Sequence, residues 1–167
     1  ADTIGISAAD LIGKNVSIGH NSCIGPEVEI GDNAIIRKNV VICAKVKIGR
    51  NCVIKDNTVI GSEGVGFEYD ENEVPMHFPQ IGEVVIGNNV WIGSNTTIER
   101  GTFEKTVIGN NILIEDVVQV GHNCIIGDNT FISGGVIICG SVIVGKNCWL
   151  APNSVIREGI KIGNKGF

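Results

Sequence analysis

The chain is short of most residue types from which active sites are usually assembled. Its 167 residues include three His, one Met, one Tyr, two Trp and five Phe, so few side chains are available for acid–base work or for stacking on a ligand. Basic residues are outnumbered, with 13 Lys and Arg against 18 Asp and Glu and a net charge of −5. With no basic surplus and no Lys/Arg cluster to track phosphates, the composition argues against a nucleic-acid partner. No apolar run approaches the ~18 residues that a spanning helix needs, which predicts no membrane span. No signal-peptide pattern opens the sequence, and it starts without Met, as a processed or trimmed chain would. There is no C-x-x-C pair to suggest zinc, so no metal site is expected.

What the chain has instead is a beat. Isoleucine recurs at every sixth position from Ile6 through Ile12, Ile18, Ile24, Ile30, Ile36, Ile42, Ile48 and Ile54 to Ile60. The beat returns at Ile86, Ile92 and Ile98, then runs from Ile108 to Ile162 with Val120, Val144 and Leu150 standing in. A helix repeats every 3.6 residues and a lone strand every two, so a period of six over most of the chain marks a hexapeptide solenoid, a parallel β-helix. The expected architecture is all-β, one β-helix domain over residues 1–167 of about 7–8 coils, each coil touching mainly its neighbours. The six Cys fall in with the repeat. Cys52, Cys124 and Cys148 sit four places after the beat, Cys43 and Cys139 replace the Gly that follows it, and Cys23 precedes Ile24. They read as small hydrophobes in a reducing compartment, which places the protein in the cytoplasm.

One hexad makes one side of a triangle. In Ile18-Gly-His-Asn-Ser-Cys23, alternation along the strand sends Ile18 and Ser22 inward and Cys23 outward. Asn at the fourth place, as in Asn15, Asn21 or Asn33, and Gly there at Gly101, Gly135 and Gly159, suit a left-handed corner conformation. Three hexads close a coil, so residues 18 apart are vertical neighbours. Outward positions then sort into apolar columns, Trp91–Leu113–Phe131–Trp149 and Val107–Ile125–Ile143, which are expected to form a subunit interface or a groove for an apolar arm.

The beat is interrupted twice, over residues 61–85 and 101–104. The longer interruption carries Phe67, Tyr69, His77 and Phe78, and a long loop on a rigid scaffold is a common home for binding residues or a packing arm. Its Gly64-x-Gly66 is not a dinucleotide motif, because no helix follows. Of the histidines, His20 is a corner residue facing solvent. His122 stands at the third place of its hexad, one coil above Arg100 and one below Gly140, beside the 101–104 interruption. A base, a cation and an open backbone N–H in one column suit acyl transfer, in which the base takes a proton and the N–H holds an oxyanion. Glu115, one hexad before, is the candidate to orient the ring. The alternative is that His122 is one more polar corner residue.

The stretches Ile60-Gly-Ser-Glu-Gly-Val-Gly-Phe67, Phe78-Pro-Gln-Ile-Gly82, Ile92-Gly-Ser-Asn-Thr-Thr-Ile-Glu-Arg-Gly101, Thr106-Val-Ile-Gly109 and Gln119-Val-Gly-His-Asn123 resemble the UDP-3-O-acylglucosamine N-acyltransferases among the left-handed β-helix acyltransferases. The resemblance implies left-handed coils, a homotrimer with active sites between subunits, His122 as general base supported by Glu115, and the Gly140 N–H as oxyanion donor. Gly159 holds the place of a second family histidine. It further implies a nucleotide-activated amino sugar as substrate, an acyl-CoA or acyl-carrier thioester as co-substrate, and no tightly bound cofactor, for surface polysaccharide or lipid A-type glycan synthesis. Arg100, Phe67, Tyr69 and His77 are the expected substrate contacts. A sugar O-acetyltransferase and a non-catalytic trimeric scaffold remain as alternatives.

Overall fold

The computed structural model describes residues 11–167. The rung expected at Ile6, and residues 1–10 of the expected single domain, lie outside the described residues. Within them the chain forms three stacks of short parallel strands and one antiparallel hairpin, with no helix. The first face has eight strands, from Leu11–Ile12 to Lys161–Ile162. The second runs in seven from Ser17–Ile18 to Trp149–Leu150, and the third in seven from Cys23–Ile24 to Val155–Ile156. The chain visits the faces in rotation, which makes a left-handed parallel β-helix of between seven and eight coils and breaks the usual right-handed crossover rule.

Register follows from the repeat. Leu11 pairs with Glu29, Ser17 with Ile35 and Cys23 with Val41, each 18 residues on. The beat residues point inward and are buried, as at Ile24, Ile42, Ile60, Ile98 and Ile132. Removing each from water stabilises the column by about 1.5–3 kcal/mol. The second inward place of each hexad takes Val, Ala, Thr, Ser or Cys, and its polar members satisfy the corners. Ser22 Oγ donates to Arg37 O at 2.7 Å, Thr58 Oγ1 to Gly93 O at 2.7 Å and Cys124 Sγ to Cys139 O at 3.1 Å. Burial pushes the Cys124 thiol up to about 11, so it stays protonated at neutral pH. Cys52 and Cys148 are buried likewise, whereas Cys43 and Cys139 are half-buried at a corner and Cys23 is exposed.

The three corners differ. Between the first and second faces runs a spine of asparagines in the left-handed conformation, Asn15 through Asn147, each donating Nδ2 to the Oδ1 of the next at 2.9–3.3 Å. Between the second and third faces the series Asn57, Asn95, Asn153 is broken by Gly135 and by Val117, whose φ of 62° is strained for a β-branched side chain. The corner between the third and first faces has almost no asparagine, and both interruptions leave the solenoid there. Gly135 and Gly159 adopt positive φ as expected, but Gly101 does not, because the chain opens outward at that residue instead of closing the corner.

The longer interruption is narrower and more ordered than a 61–85 loop. The third-face strand extends to Ser62 and the first-face strand resumes at Glu83, while Gly66–Tyr69 and Pro75–Phe78 pair as an antiparallel hairpin. Asp70 closes its turn by accepting the N–H of Asn72 at 2.8 Å and of Val74 at 2.9 Å through Oδ1. Phe78 packs edge-on against Phe103 of the shorter excursion, ring centroids 5.7 Å apart.

Candidate active site

The corner between the third and first faces gathers the unusual residues because each coil ends its third strand there. At several levels of the regular corners, the backbone N–H at the third place of the hexad is covered by a side chain of the adjoining coil. Lys14 N donates to Asp32 Oδ1 at 2.7 Å, Asn88 N to Asn110 Oδ1 at 2.9 Å and Ser94 N to Asp116 Oδ1 at 2.7 Å. At two places a glutamate that follows the beat residue reaches up from the coil before and does the same. Glu115 Oε2 accepts Gly134 N at 2.6 Å, and Glu99 Oε2 accepts His122 N at 3.1 Å.

Glu115 and His122 do not meet within the chain. Its carboxylate is on the corner between the second and third faces, spent on Gly134 and beside the Lys55–Asp116 ion pair, one side of the triangle away from His122. The carboxylate at the histidine corner is Glu99, which sequence reasoning missed. A signal was available: Glu99 and Glu115 each replace the Gly after a beat residue, and each caps the N–H nineteen places on once the four extra residues after Gly101 are discounted. Glu99 Oε1 also accepts Gln119 Nε2 at 3.4 Å. A Cβ on Gly64 would collide with this carboxylate, so the root of the hairpin lies directly against it. Buried Gln80 fixes that root by accepting Gly64 N at 2.7 Å.

His122 and Gly140 come together as the column predicts. The imidazole lies over the Gly140 Cα, where an added Cβ would sit 2.5 Å from Cε1 and Nε2. The Gly140 N–H takes no partner among the described residues, whereas the equivalent donors of Lys14, Asn88, Ser94 and His122 are capped. His122 Nδ1 is 3.1 Å from Asn123 Oδ1. That oxygen also accepts Thr102 N at 2.8 Å and Thr102 Oγ1 at 2.9 Å. A backbone N–H can only donate, so the amide end facing Thr102 is its oxygen, and the imidazole nitrogen facing the same oxygen must carry its proton. When the ring is neutral it is therefore the Nδ1–H tautomer, with its lone pair on Nε2. Within the chain the group that faces His122 Nδ1 is the neighbouring Asn123, not Glu115.

Arg100 is half-buried at the same corner, donating Nε to Gly61 O at 2.7 Å and Nη2 to Ala44 O at 3.1 Å, so within the chain it ties the hairpin root to the coil below. Phe67 and Tyr69 are exposed and in edge contact at 5.3 Å. Phe67 pairs with His77 across the hairpin, so the three expected contacts share one face of it, with no hydrogen bond or ring contact to His122 among the described residues. His20 is exposed on another corner. The outward columns form as expected, Trp91 over Leu113, Phe131 and Trp149, and Val107 over Ile125 and Ile143.

Residues 11–43, 27–62 and 105–140 match the family described as bacterial transferase hexapeptide (six repeats), and residues 83–115 and 141–165 match the hexapeptide repeat of succinyl-transferase. The chain is 54% identical over 71 residues to a UDP-3-O-acylglucosamine N-acyltransferase of Dechloromonas aromatica, covering 42% of this chain and 20% of that protein. It thus spans about a fifth of the length of the curated relatives it matches. Among solved structures, LpxA from Acinetobacter baumannii superposes with a TM-score of 0.85 at 28% identity, over 95% of this chain and 59% of that one. The UDP-N-acetylglucosamine O-acyltransferase (LpxA) of Moraxella catarrhalis does so with a TM-score of 0.84 over 94% and 59%, and at 24% identity that likeness is one of fold.

Proposed function

Because the chain belongs to the bacterial transferase hexapeptide family, we propose that it moves an acyl group from a coenzyme A or acyl-carrier thioester to the amino group of a nucleotide-activated amino sugar. The observation that carries this reading is the pairing at one corner of an imidazole whose Nδ1 faces the Asn123 amide oxygen and a backbone N–H with no partner among the described residues, with Nε2 against Gly140. The sequence likeness to an N-acyltransferase supports an amine as acceptor.

The chemistry follows from those two groups. The acceptor nitrogen attacks the thioester carbonyl carbon, forming the C–N bond while the carbonyl π pair moves onto oxygen. The Gly140 N–H donates to that oxyanion, an arrangement worth about 10²–10³ in kcat where such donors have been removed. His122 Nε2 takes the proton that the nitrogen sheds, and Nδ1–H remains bonded to Asn123 throughout. The carbonyl then re-forms, the C–S bond breaks, and the thiolate takes the proton from the imidazolium. An amide and a free thiol leave.

The hairpin face of Phe67, Tyr69 and His77 would hold the sugar nucleotide, with Arg100 keeping the hairpin root in position beside the base. The outward columns support a homotrimer, since Trp91, Leu113 and Ile125 are each more than two-fifths exposed and aligned in rows. His122→Ala should lower kcat by about 10²–10⁴ with the oligomeric state unchanged. Turnover at the wild-type rate would refute the base assignment. O-acyl transfer would use the same base on a hydroxyl, so amino and hydroxy forms of one sugar nucleotide are assayed side by side, and an ester rather than an amide product would overturn N-acylation.

A further inference from the structure

We infer that the four-residue excursion after Gly101 is a tautomer lock, in which Thr102 acts through Asn123 to keep the proton on Nδ1 of His122 and Nε2 free to act as base. The inference rests on the reading of His122 as that base, and its central measurement does not depend on turnover.

Three donors converge on one oxygen. Asn123 Oδ1 accepts Thr102 N at 2.8 Å, Thr102 Oγ1 at 2.9 Å and His122 Nδ1 at 3.1 Å. Only the first is a donor under every protonation state and rotamer, and it is what forbids the amide from turning its NH₂ toward the ring. Without that N–H the amide could rotate, present Nδ2 to the imidazole, and make Nδ1 an acceptor with the proton on Nε2. The ring would then lack its base on the side of Gly140. Asn123 therefore orients the ring, and Thr102 orients Asn123.

The excursion is built to hold Thr102 there. Its carbonyl accepts Ile81 N at 2.8 Å, and Phe103 packs edge-on against Phe78, so the hairpin return braces it from outside. Asn123 is braced from the core side by its own N–H to Thr106 Oγ1 at 2.9 Å. Elsewhere a left-handed corner asparagine such as Asn111 bonds the asparagines above and below it. At the histidine level the excursion replaces that ladder neighbour, so the amide is fixed by the device that the ladder lacks. Neither Thr102 nor Asn123 is a catalytic residue here; both are positioning residues for His122.

The test reads the tautomer directly. The protein has three histidines, so ¹⁵N-histidine labelling with His20→Asn and His77→Asn variants assigns His122. Long-range ¹H–¹⁵N correlations are recorded well above the ordinary imidazole pKa of about 6.5. Wild type should carry the proton on Nδ1. Asn123→Gly, which accepts the corner's φ of 59°, removes the oxygen while leaving the backbone undemanding. It should shift the proton toward Nε2 and lower kcat by about 10–10², with KM little changed. Asn123→Asp restores an acceptor and should recover both the Nδ1–H signature and most of the lost kcat. Thr102→Gly, which keeps the N–H but frees the excursion, should give a mixed tautomer population and a smaller loss. An Nε2–H ring in wild type, or an Asn123→Gly ring still protonated on Nδ1, would overturn the lock. A lock that reads as expected in an enzyme whose turnover survives His122→Ala would instead remove the base assignment and leave the lock standing.

Discussion

Two corners of the same prism were given the same job and ended differently. On the spine, between the first and second faces, asparagines bond upward in unbroken sequence and a neighbouring Asp or Asn caps the backbone N–H of the coil before. Between the third and first faces there is no such ladder. Pro26, Ala44, the hairpin, the excursion, His122 and Gly140 follow one another instead. Yet the first-face strands keep register through both insertions, Val46 on Val84 and Val85 on Val107, and on the third face the pairing shifts only where Glu99 meets Ser62. A solenoid joins neighbours mainly through strand pairing and the inward column. One corner can therefore be released from structural duty while another carries it, and side chains on the released corner are free to be selected for chemistry.

The difference is sharpest at two glycines. The nearest atoms to a Cβ on Gly140 would be those of the His122 ring, from 2.5 Å, whereas one on Gly127 of the spine would meet the Gly145 backbone at 2.6 Å. A side chain can turn aside and a packed coil cannot. Gly140→Ala should therefore displace the imidazole and lower kcat by about 10² or more while the thermal midpoint moves little. Gly127→Ala should leave the kcat of folded enzyme alone and cost about 2 kcal/mol of overpacking, or about 4–8 °C in Tm. Equal loss of stability in the two variants would erase the distinction between the corners.

Glu99 and Glu115 form the next matched pair, since each caps one N–H of the coil above. Replacing either by Ala should cost about 1 kcal/mol of stability. Only Glu99→Ala should also lower kcat, by roughly 3- to 10-fold, because it frees the His122 backbone and the hairpin root together. A comparable loss of kcat in Glu115→Ala would return the orienting role to Glu115.

How much of this was legible follows from what repeats. The rungs, the inward cysteines, the corner asparagines and the His122–Gly140 stack all depend on period alone, and they were readable to the residue. The hairpin was less so, because its pairing rests on the Asp70 turn and on Gln80 rather than on the beat. Glu115 lies one hexad before His122, but one hexad is a full side of the triangle, so nearness in sequence does not bring it to that corner. Asn123 stands at the fourth place of its hexad, where the period alone marks one more structural corner. Its partner, Thr102, lies in a four-residue departure from the repeat, and a period says nothing about where a departure goes.

The smallest expected effect concerns the spine. Asp128 Oδ1 accepts Asn110 N at 2.9 Å and its Oδ2 meets Lys146 Nζ at 2.8 Å. The Asn110 N–H first and Lys146 second hold its carboxyl down to about 2. The unfolded chain should titrate this group near 3.9. A carboxyl whose folded pKa is depressed contributes stability that is present above the unfolded value and is lost as the pH falls through the folded one. The stabilisation from the charge should therefore be full above about pH 4 and gone near pH 2. Asp128→Asn keeps the capping oxygen, as Asn110 does for Asn88 one coil below, and removes only the charge. Because the group is at the surface and screened, the two proteins should differ by only about 2 °C in Tm at neutral pH. That gap should close as the pH approaches 2. A gap that persists unchanged into acid would mean that the spine holds its coils by the amide-type cap alone, and that the charge on Asp128 adds nothing to it.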